Sequence, residues 1–206
     1  MTTRENQPVG RASRGDSRYT WDDAIAAIGQ DFASGEEQVA DEAIEYTTIM
    51  RFCEVWEIGN PIYWHEDVAK QAGYKGVAVP WSAIKQTFAY NGFWRPGAPT
   101  RFPPGLDKNA TAQLGSFEVR GRPIPTPPFS TGVFTDMEIE YFEPVCVGDR
   151  LTVKGNKLIN VRPRKTRIGD GAFINRGNEI YNQKGELVAR VNQGGYRYNP
   201  TRGGGQ

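Results

Sequence analysis

Histidine is almost absent from this 206-residue chain: His65 is the only one, so any imidazole chemistry has to run through that position. Cysteine is as scarce. Cys53 and Cys146 lack both the paired spacing of a zinc site and the density of a disulfide framework, and they read as small buried hydrophobes in a reducing compartment. No run approaches the ~20 apolar residues of a membrane span, and the first residues lack the apolar core of a secretion signal, which together predict a cytoplasmic protein with no membrane attachment. An excess of one charge is missing too. Twenty-five Lys and Arg against 24 Asp and Glu leave a formal net charge of +1, so no basic face for nucleic acid is expected, and neither a metal site nor a cofactor is predicted.

Aromatic residues and chain breakers are what the sequence does hold. The aromatics make up 12% of the chain, with five Trp, enough to fill a core or to line an interface or ligand groove. The length suits one domain that buries roughly 70% of its unfolded surface. Residues 1–18 are polar and predict a disordered arm, 19–198 a single domain, and 199–206 a disordered tail. Within the domain, 94–131 is so punctuated by Pro and Gly that it reads as an insertion. Its Trp94, Phe102, Phe117 and Phe129 suit either a lid packed on a partner or a surface elaboration.

Thr20 caps a predicted helix through Ala27, and Thr47 or Thr48 is expected to cap the next, which carries Ile49, Phe52, Cys53 and Trp56 on one face. Asn60 and Pro61 stop that pattern. A short charged helix follows from about His65 to Ala72, and Pro80 opens an apolar helix with Ile84, Phe88 and Tyr90 to Phe93. The last third alternates as strands: Val133 to Phe142, Arg150 to Val161, Ala172 to Asn182 and Leu187 to Tyr198, with Asn182 to Gly185 a hairpin turn. Consecutive strands around one buried helix make an α+β antiparallel architecture.

The stretch from Trp56 to Ile84 contains GNPIYW and then AGYKGVAVP, and YFEPVCVGDRLTV comes much later. In order and spacing, from roughly Glu45 to Tyr198, this resembles the MaoC-like dehydratases of the hot dog superfamily, above all the fatty-acid-synthase-type dehydratase N-terminal domain. The resemblance implies a sheet wrapped around a long central helix, and an acyl thioester of coenzyme A or of a carrier protein as substrate. Catalytic members read D-x-N-P-[IL]-H, in which Asp and His are the acid/base pair. Here Ile58 and Tyr63 occupy those two positions, and neither exchanges a proton at neutral pH. A third element, a small Gly whose amide polarises the thioester carbonyl, falls where Val79, Pro80 and Trp81 stand. Pro80 has no amide proton to give.

Three losses in one site imply the degenerate half of a heteromeric enoyl-CoA hydratase or (3R)-hydroxyacyl-thioester dehydratase. A catalytic MaoC-like subunit would be its partner in a heterodimer or heterotetramer. In that reading Tyr63, Trp64, Pro80 and Trp81 form groove walls. Arg162, Arg164, Lys165 and Arg167, expected at a hairpin end with Pro163, suit either the phosphates of coenzyme A or a solvated turn. Two other readings stay open: a self-sufficient hydratase with a relocated pair, Glu57 and His65, and an acyl-thioester-binding homodimer without chemistry.

Overall fold

The computed structural model describes residues 15–89, 96–97 and 121–201. Helix α1, Trp21–Ala26, begins in a reciprocal cap: the Thr20 hydroxyl accepts from the Asp23 amide while the Asp23 carboxylate takes the Thr20 amide at 2.7 Å. Gly29, at φ +91°, turns the chain so that its amide reaches the Leu158 carbonyl at 2.7 Å. Strand β1 is only Glu37–Val39. Helix α2 runs Tyr46–Val55, two or three residues earlier than a cap at Thr47 or Thr48 would start it, with Glu45 entering extended and without a side-chain cap. A 3₁₀ turn at Pro61–Tyr63 and helix α3, Glu66–Gln71, follow.

Helix α4, Trp81–Ala83, continues as a π-helical turn over Ile84–Phe88. The resemblance implies a long central helix. The described part is these two short pieces, and Tyr90 to Phe93 lie outside the described residues.

Strands β2 (Thr131–Tyr141), β3 (Thr152–Thr166), β4 (Gly169–Tyr181) and β5 (Leu187–Pro200) form, with β1, one antiparallel sheet in the order β1-β3-β4-β5-β2. The β4–β5 turn is locked by Asn182, whose side-chain oxygen accepts from the Lys184 and Glu186 amides. Strand β3 does not stop at Val161 as its pattern predicts. It runs on through Pro163, which pairs with Ala172, because β1 covers only Thr152 to Lys154 and residues 29–32 only Asn156 to Leu158, which leaves β3 an edge at Pro163, where a missing N–H does no harm. Strand β5 continues to Pro200, beyond the expected start of the tail. Asn199 there donates to the Pro128 carbonyl and accepts from the Ser130 amide.

Two apolar clusters lie on one face of the sheet. Ile49, Cys53, Val79, Ala83, Ile84 and Phe88 pack on Leu151, Val153, Ile180, Ala189 and Val191. Ala24, Ala27, Phe32 and Ile124 pack on Leu158, Val161, Ala172 and Ile174. Each fully buried Ile or Phe contributes roughly 1.5–3 kcal/mol of transfer free energy. The end of the expected insertion therefore packs on this chain's own core: Ile124, Thr126 and Phe129 are buried. The Thr126 carbonyl also accepts from the Asp16 amide, so part of the expected arm is docked. The bulk of 94–131, with Trp94, Phe102 and Phe117, lies outside the described residues, as do 1–14 and 202–206. Among the described residues no helix is long and apolar enough to cross a membrane.

Candidate functional site

The 3₁₀ turn and the start of α4 meet through the backbone. Asn60 caps the turn by accepting from the Ile62 amide at 3.2 Å, and the Ile62 carbonyl takes the Ala78 amide at 3.1 Å. Val77 to Val79 are pinned on the other side: the Val79 amide donates to Val145, and the Val147 amide to Val77. Pro80 is thereby buried at the foot of α4, with the Ala83 amide donating to its carbonyl. Tyr63, Trp64 and Trp81 all pack, half-buried, against the same apolar cluster.

Each of these aromatic side chains is held. The Trp64 indole donates to the Ile58 carbonyl at 2.7 Å, and the Tyr46 hydroxyl to the Trp64 carbonyl at 2.7 Å. Trp81 lies 4.9 Å, ring centre to ring centre, from Tyr141, whose hydroxyl donates back to the Trp81 carbonyl at 2.8 Å. Tyr141 was legible only as one residue of an alternating strand. Burial pushes the Tyr63 phenol above its usual range, with Tyr74 and Cys53 adding to the shift, and burial does the same for Tyr141. Both stay protonated at neutral pH and offer hydrogen-bond donors rather than bases.

His65 is exposed at the start of α3, and its ring makes no capping bond to the helix amides. Glu57 is exposed too, at φ +50°. Among the described residues no hydrogen bond or ion pair joins the two, and no grouping of His, Cys, Asp and Glu could hold a metal.

The cations stand apart from the aromatic site. Tyr141, Ala189 and Ile180 form one cross-strand row beneath Trp81, whereas Arg162 pairs with Phe173, seven residues further along β4. At about 3.4 Å per residue that is roughly 24 Å. Arg162, Arg164 and Lys165 lie within β3 itself, not in a loop, and only Arg167 stands in the turn. The Arg162 guanidinium sits 5.5 Å from the centre of the Phe173 ring. By strand alternation Phe173 and Tyr196 face away from the helices, beside a shallow depression of about 220 Å³ lined also by Val133, Ile168 and Arg167.

Among the described residues β2 pairs on one side only, with β5, and its other side is an open margin. Strand β2 is exposed along nearly its whole length, and Phe134 is 79% exposed on it. At the other end of the sheet, Asp149 ties the site's floor together: it accepts from Lys75, Gln183 and the Cys146 amide.

Residues 26–191 match the family model described as FAS1-like, dehydratase domain region. A curated relative from Thermomonospora curvata, named a probable enoyl-CoA hydratase alpha subunit, is 23% identical over 169 residues. The match takes in 82% of this chain and 49% of the relative, so the chain spans about half the length of that protein. Among solved structures, a chain of the ChsH1-ChsH2 complex from Mycobacterium tuberculosis superposes with a TM-score of 0.60 at 21% identity, over 88% of this chain and 97% of that one. A MaoC-like dehydratase from Rhodospirillum rubrum gives 0.52 at 18% identity, over 85% and 94%. At these identities the structural matches speak for the fold.

Proposed function

The chain belongs to the FAS1-like dehydratase domain region, with a MaoC-like hot dog fold, and on that premise we propose that it is the groove-forming, non-catalytic subunit of a heteromeric enoyl-CoA hydratase or (3R)-hydroxyacyl-thioester dehydratase. The observation that carries this is the foot of α4. Where a catalytic member needs an acid/base pair and a free amide, this chain puts Ile58, a protonated Tyr63, Pro80 and the Trp81–Tyr141 stack. These side chains are apolar and well held against the core, which suits contact with an acyl chain and supplies no proton acceptor.

The partner would bring the acid/base pair, and the substrate would carry its own thioester group, either coenzyme A or an acyl carrier. Tyr63, Trp64, Pro80 and Trp81 would form this chain's share of the groove. The open β2 margin, with Phe134, would be the seam. Arg162, Arg164, Lys165 and Arg167, roughly 24 Å from Trp81 along β4, would hold phosphates of a thioester seated in the partner's half rather than in this one. Support for a two-component assembly comes from relatives: one is named an alpha subunit, and another is a chain of a two-protein complex.

Assembly tests the reading. Co-expressed with a MaoC-like chain that carries D-x-N-P-x-H, the protein is expected to elute as a stable heteromer by light scattering. Changing Phe134 to Asp should weaken it by about 30-fold, the scale of a buried aromatic anchor. A homodimer indifferent to that partner, or a heteromer unaffected by Phe134→Asp, would speak instead for a thioester-binding homodimer or for another seam.

A further inference from the structure

The outward face of the sheet, opposite the helices, changes character along its length. At the end where β1 pairs, its side chains satisfy one another: Arg190 bridges Glu140 and Glu179, and the Tyr181 hydroxyl donates to Glu179 at 2.6 Å. At the other end it turns apolar and cationic. Phe173, Tyr196 and Tyr198 stack in series, ring centres 4.6 and 4.9 Å apart, with the Arg162 guanidinium over Phe173. The series is fixed to the backbone. A Cβ at Gly169 or Gly171 would collide with Tyr198, and the Tyr196 hydroxyl lies 2.8 Å from the Arg164 carbonyl and 2.9 Å from that of Gly169.

The hollow of about 220 Å³ lies beside this stack, lined by Phe173, Tyr196, Val133, Ile168 and Arg167 among others. Val133 and Ile168 are 43% and 46% exposed, so apolar side chains stand open to solvent around one concavity. The cations here have no acid to hold. Among the described residues Lys70, Lys75, Lys154 and Arg190 each pair with a carboxylate, whereas Arg164, Lys165 and Arg167 pair with none. Arg162 and Arg164, two residues apart on β3, alternate onto the outward face, and Arg167 lines the hollow itself. Lys165 alternates to the other face, opposite Asp170.

We propose that the hollow and these arginines form a nucleotide site, in which the ring system of the base enters the hollow and its phosphates lie on Arg164 and Arg167. Size and charge select this class. The hollow is smaller than the roughly 300–1,000 Å³ of sites that enclose a whole drug-sized ligand, and it suits one ring system. Arginine takes phosphate oxygens in pairs, and neighbouring arginines without acids match more than one phosphate. For the phosphates the assignment rests on the reading of these cations given above, and the hollow adds where the base goes. Val133 belongs to the open β2 margin, so the site borders the proposed seam. Two sources share this chemistry: the nucleotide end of a coenzyme A seated in the partner's half, and a free nucleoside diphosphate.

Titration calorimetry of the full chain tests the site, with adenosine 3′,5′-bisphosphate, ADP and pyrophosphate as probes. Both nucleotides are expected to bind at least about tenfold more tightly than pyrophosphate, the buried ring supplying the difference. Ile168→Ser should cut that preference to about threefold or less while pyrophosphate affinity stays within about twofold, and Arg167→Ala should weaken every probe by about tenfold. Both positions are exposed in a turn, and an unchanged melting temperature reports an intact fold. Tighter binding of adenosine 3′,5′-bisphosphate than of ADP, with displacement by coenzyme A, assigns the site to the thioester's nucleotide end. Equal binding of the two assigns it to a free nucleotide. Nucleotides that bind no better than pyrophosphate, or a preference untouched by Ile168→Ser, overturn the site and leave the phosphate role of the cations standing. No binding of any probe overturns both, whereas the heteromer and its hydration activity are read separately.

Discussion

Replacing Asp149 with Ala is expected to lower the stability of the chain by about 3 kcal/mol, measured by chemical denaturation of the full protein. Asp149 is 1% exposed, yet three segments near the site lean on its carboxylate. One oxygen accepts from the Lys75 amine at 2.5 Å and from the Gln183 amide nitrogen at 3.0 Å, and the other from the Cys146 backbone amide at 2.8 Å. Lys75 precedes the Val77 to Val79 strap that carries Pro80, Cys146 lies in the turn paired with that strap, and Gln183 belongs to the β4–β5 turn. Without the carboxylate, the Cys146 amide and the Gln183 side chain are left in a buried place with donors unmet. Lys75→Met should cost far less, because the Lys75 side chain is 43% exposed and water can replace it as a neighbour. A loss under about 1 kcal/mol for Asp149→Ala would show that the three segments hold together without it.

In the assembled enzyme, His65→Ala and Glu57→Gln are expected to leave kcat for hydration of a short 2-enoyl-CoA within about twofold. Changing the His of the partner's D-x-N-P-x-H should lower it between about a hundredfold and ten-thousandfold, the range of a general acid/base. The asymmetry follows from placement. His65 is exposed at the start of α3 beside Glu66 and Asp67, and among the described residues it shares no hydrogen bond or ion pair with Glu57. Tyr63, at the position where the resemblance implies a His in catalytic members, has its phenol pushed up by burial, so its protonated form is fully present throughout the neutral range. It should contribute no limb to the pH profile between about 6 and 9. A large loss in His65→Ala would restore the relocated acid/base pair as the working site.

Much of the sheet was readable because its signals are local. Met137, Ile139 and Tyr141 alternate with acids, Asn182 to Gly185 closes a hairpin, Thr20 and Asp23 spell a cap, and Pro80 can begin a helix but not continue one. The misreadings arise where tertiary context decides. A proline ends a strand pattern unless the strand is an edge at that level, and β3 is an edge at Pro163 because neither β1 nor residues 29–32 reach that far. Thr47 and Thr48 are good caps, yet the chain is fixed earlier by the Ile44 bonds to Asp149 and Gly148, so α2 starts at Tyr46.

At the candidate site, the departure from D-x-N-P-[IL]-H at Ile58 and Tyr63 was readable as plain substitution, whereas the neighbours of Trp81 needed the fold. Tyr141 meets Trp81 across 60 positions of sequence. Lys85 is buried and bonds to Gln193, 108 residues away, a contact that no local pattern signals. The Arg162 to Arg167 cluster could be seen, but not its end of the sheet, since only strand register sets it apart from Trp81.

The central claim is that this chain shapes a groove whose chemistry belongs to another subunit. Its most direct test is hydration of a short 2-enoyl-CoA, measured for the purified chain alone and again for the chain co-purified with a D-x-N-P-x-H partner. The account predicts no turnover above background for the chain alone and turnover by the complex. Turnover by the purified chain alone, at a rate the complex does not exceed, would contradict it and put Glu57, Tyr63 and His65 back at the centre of the site.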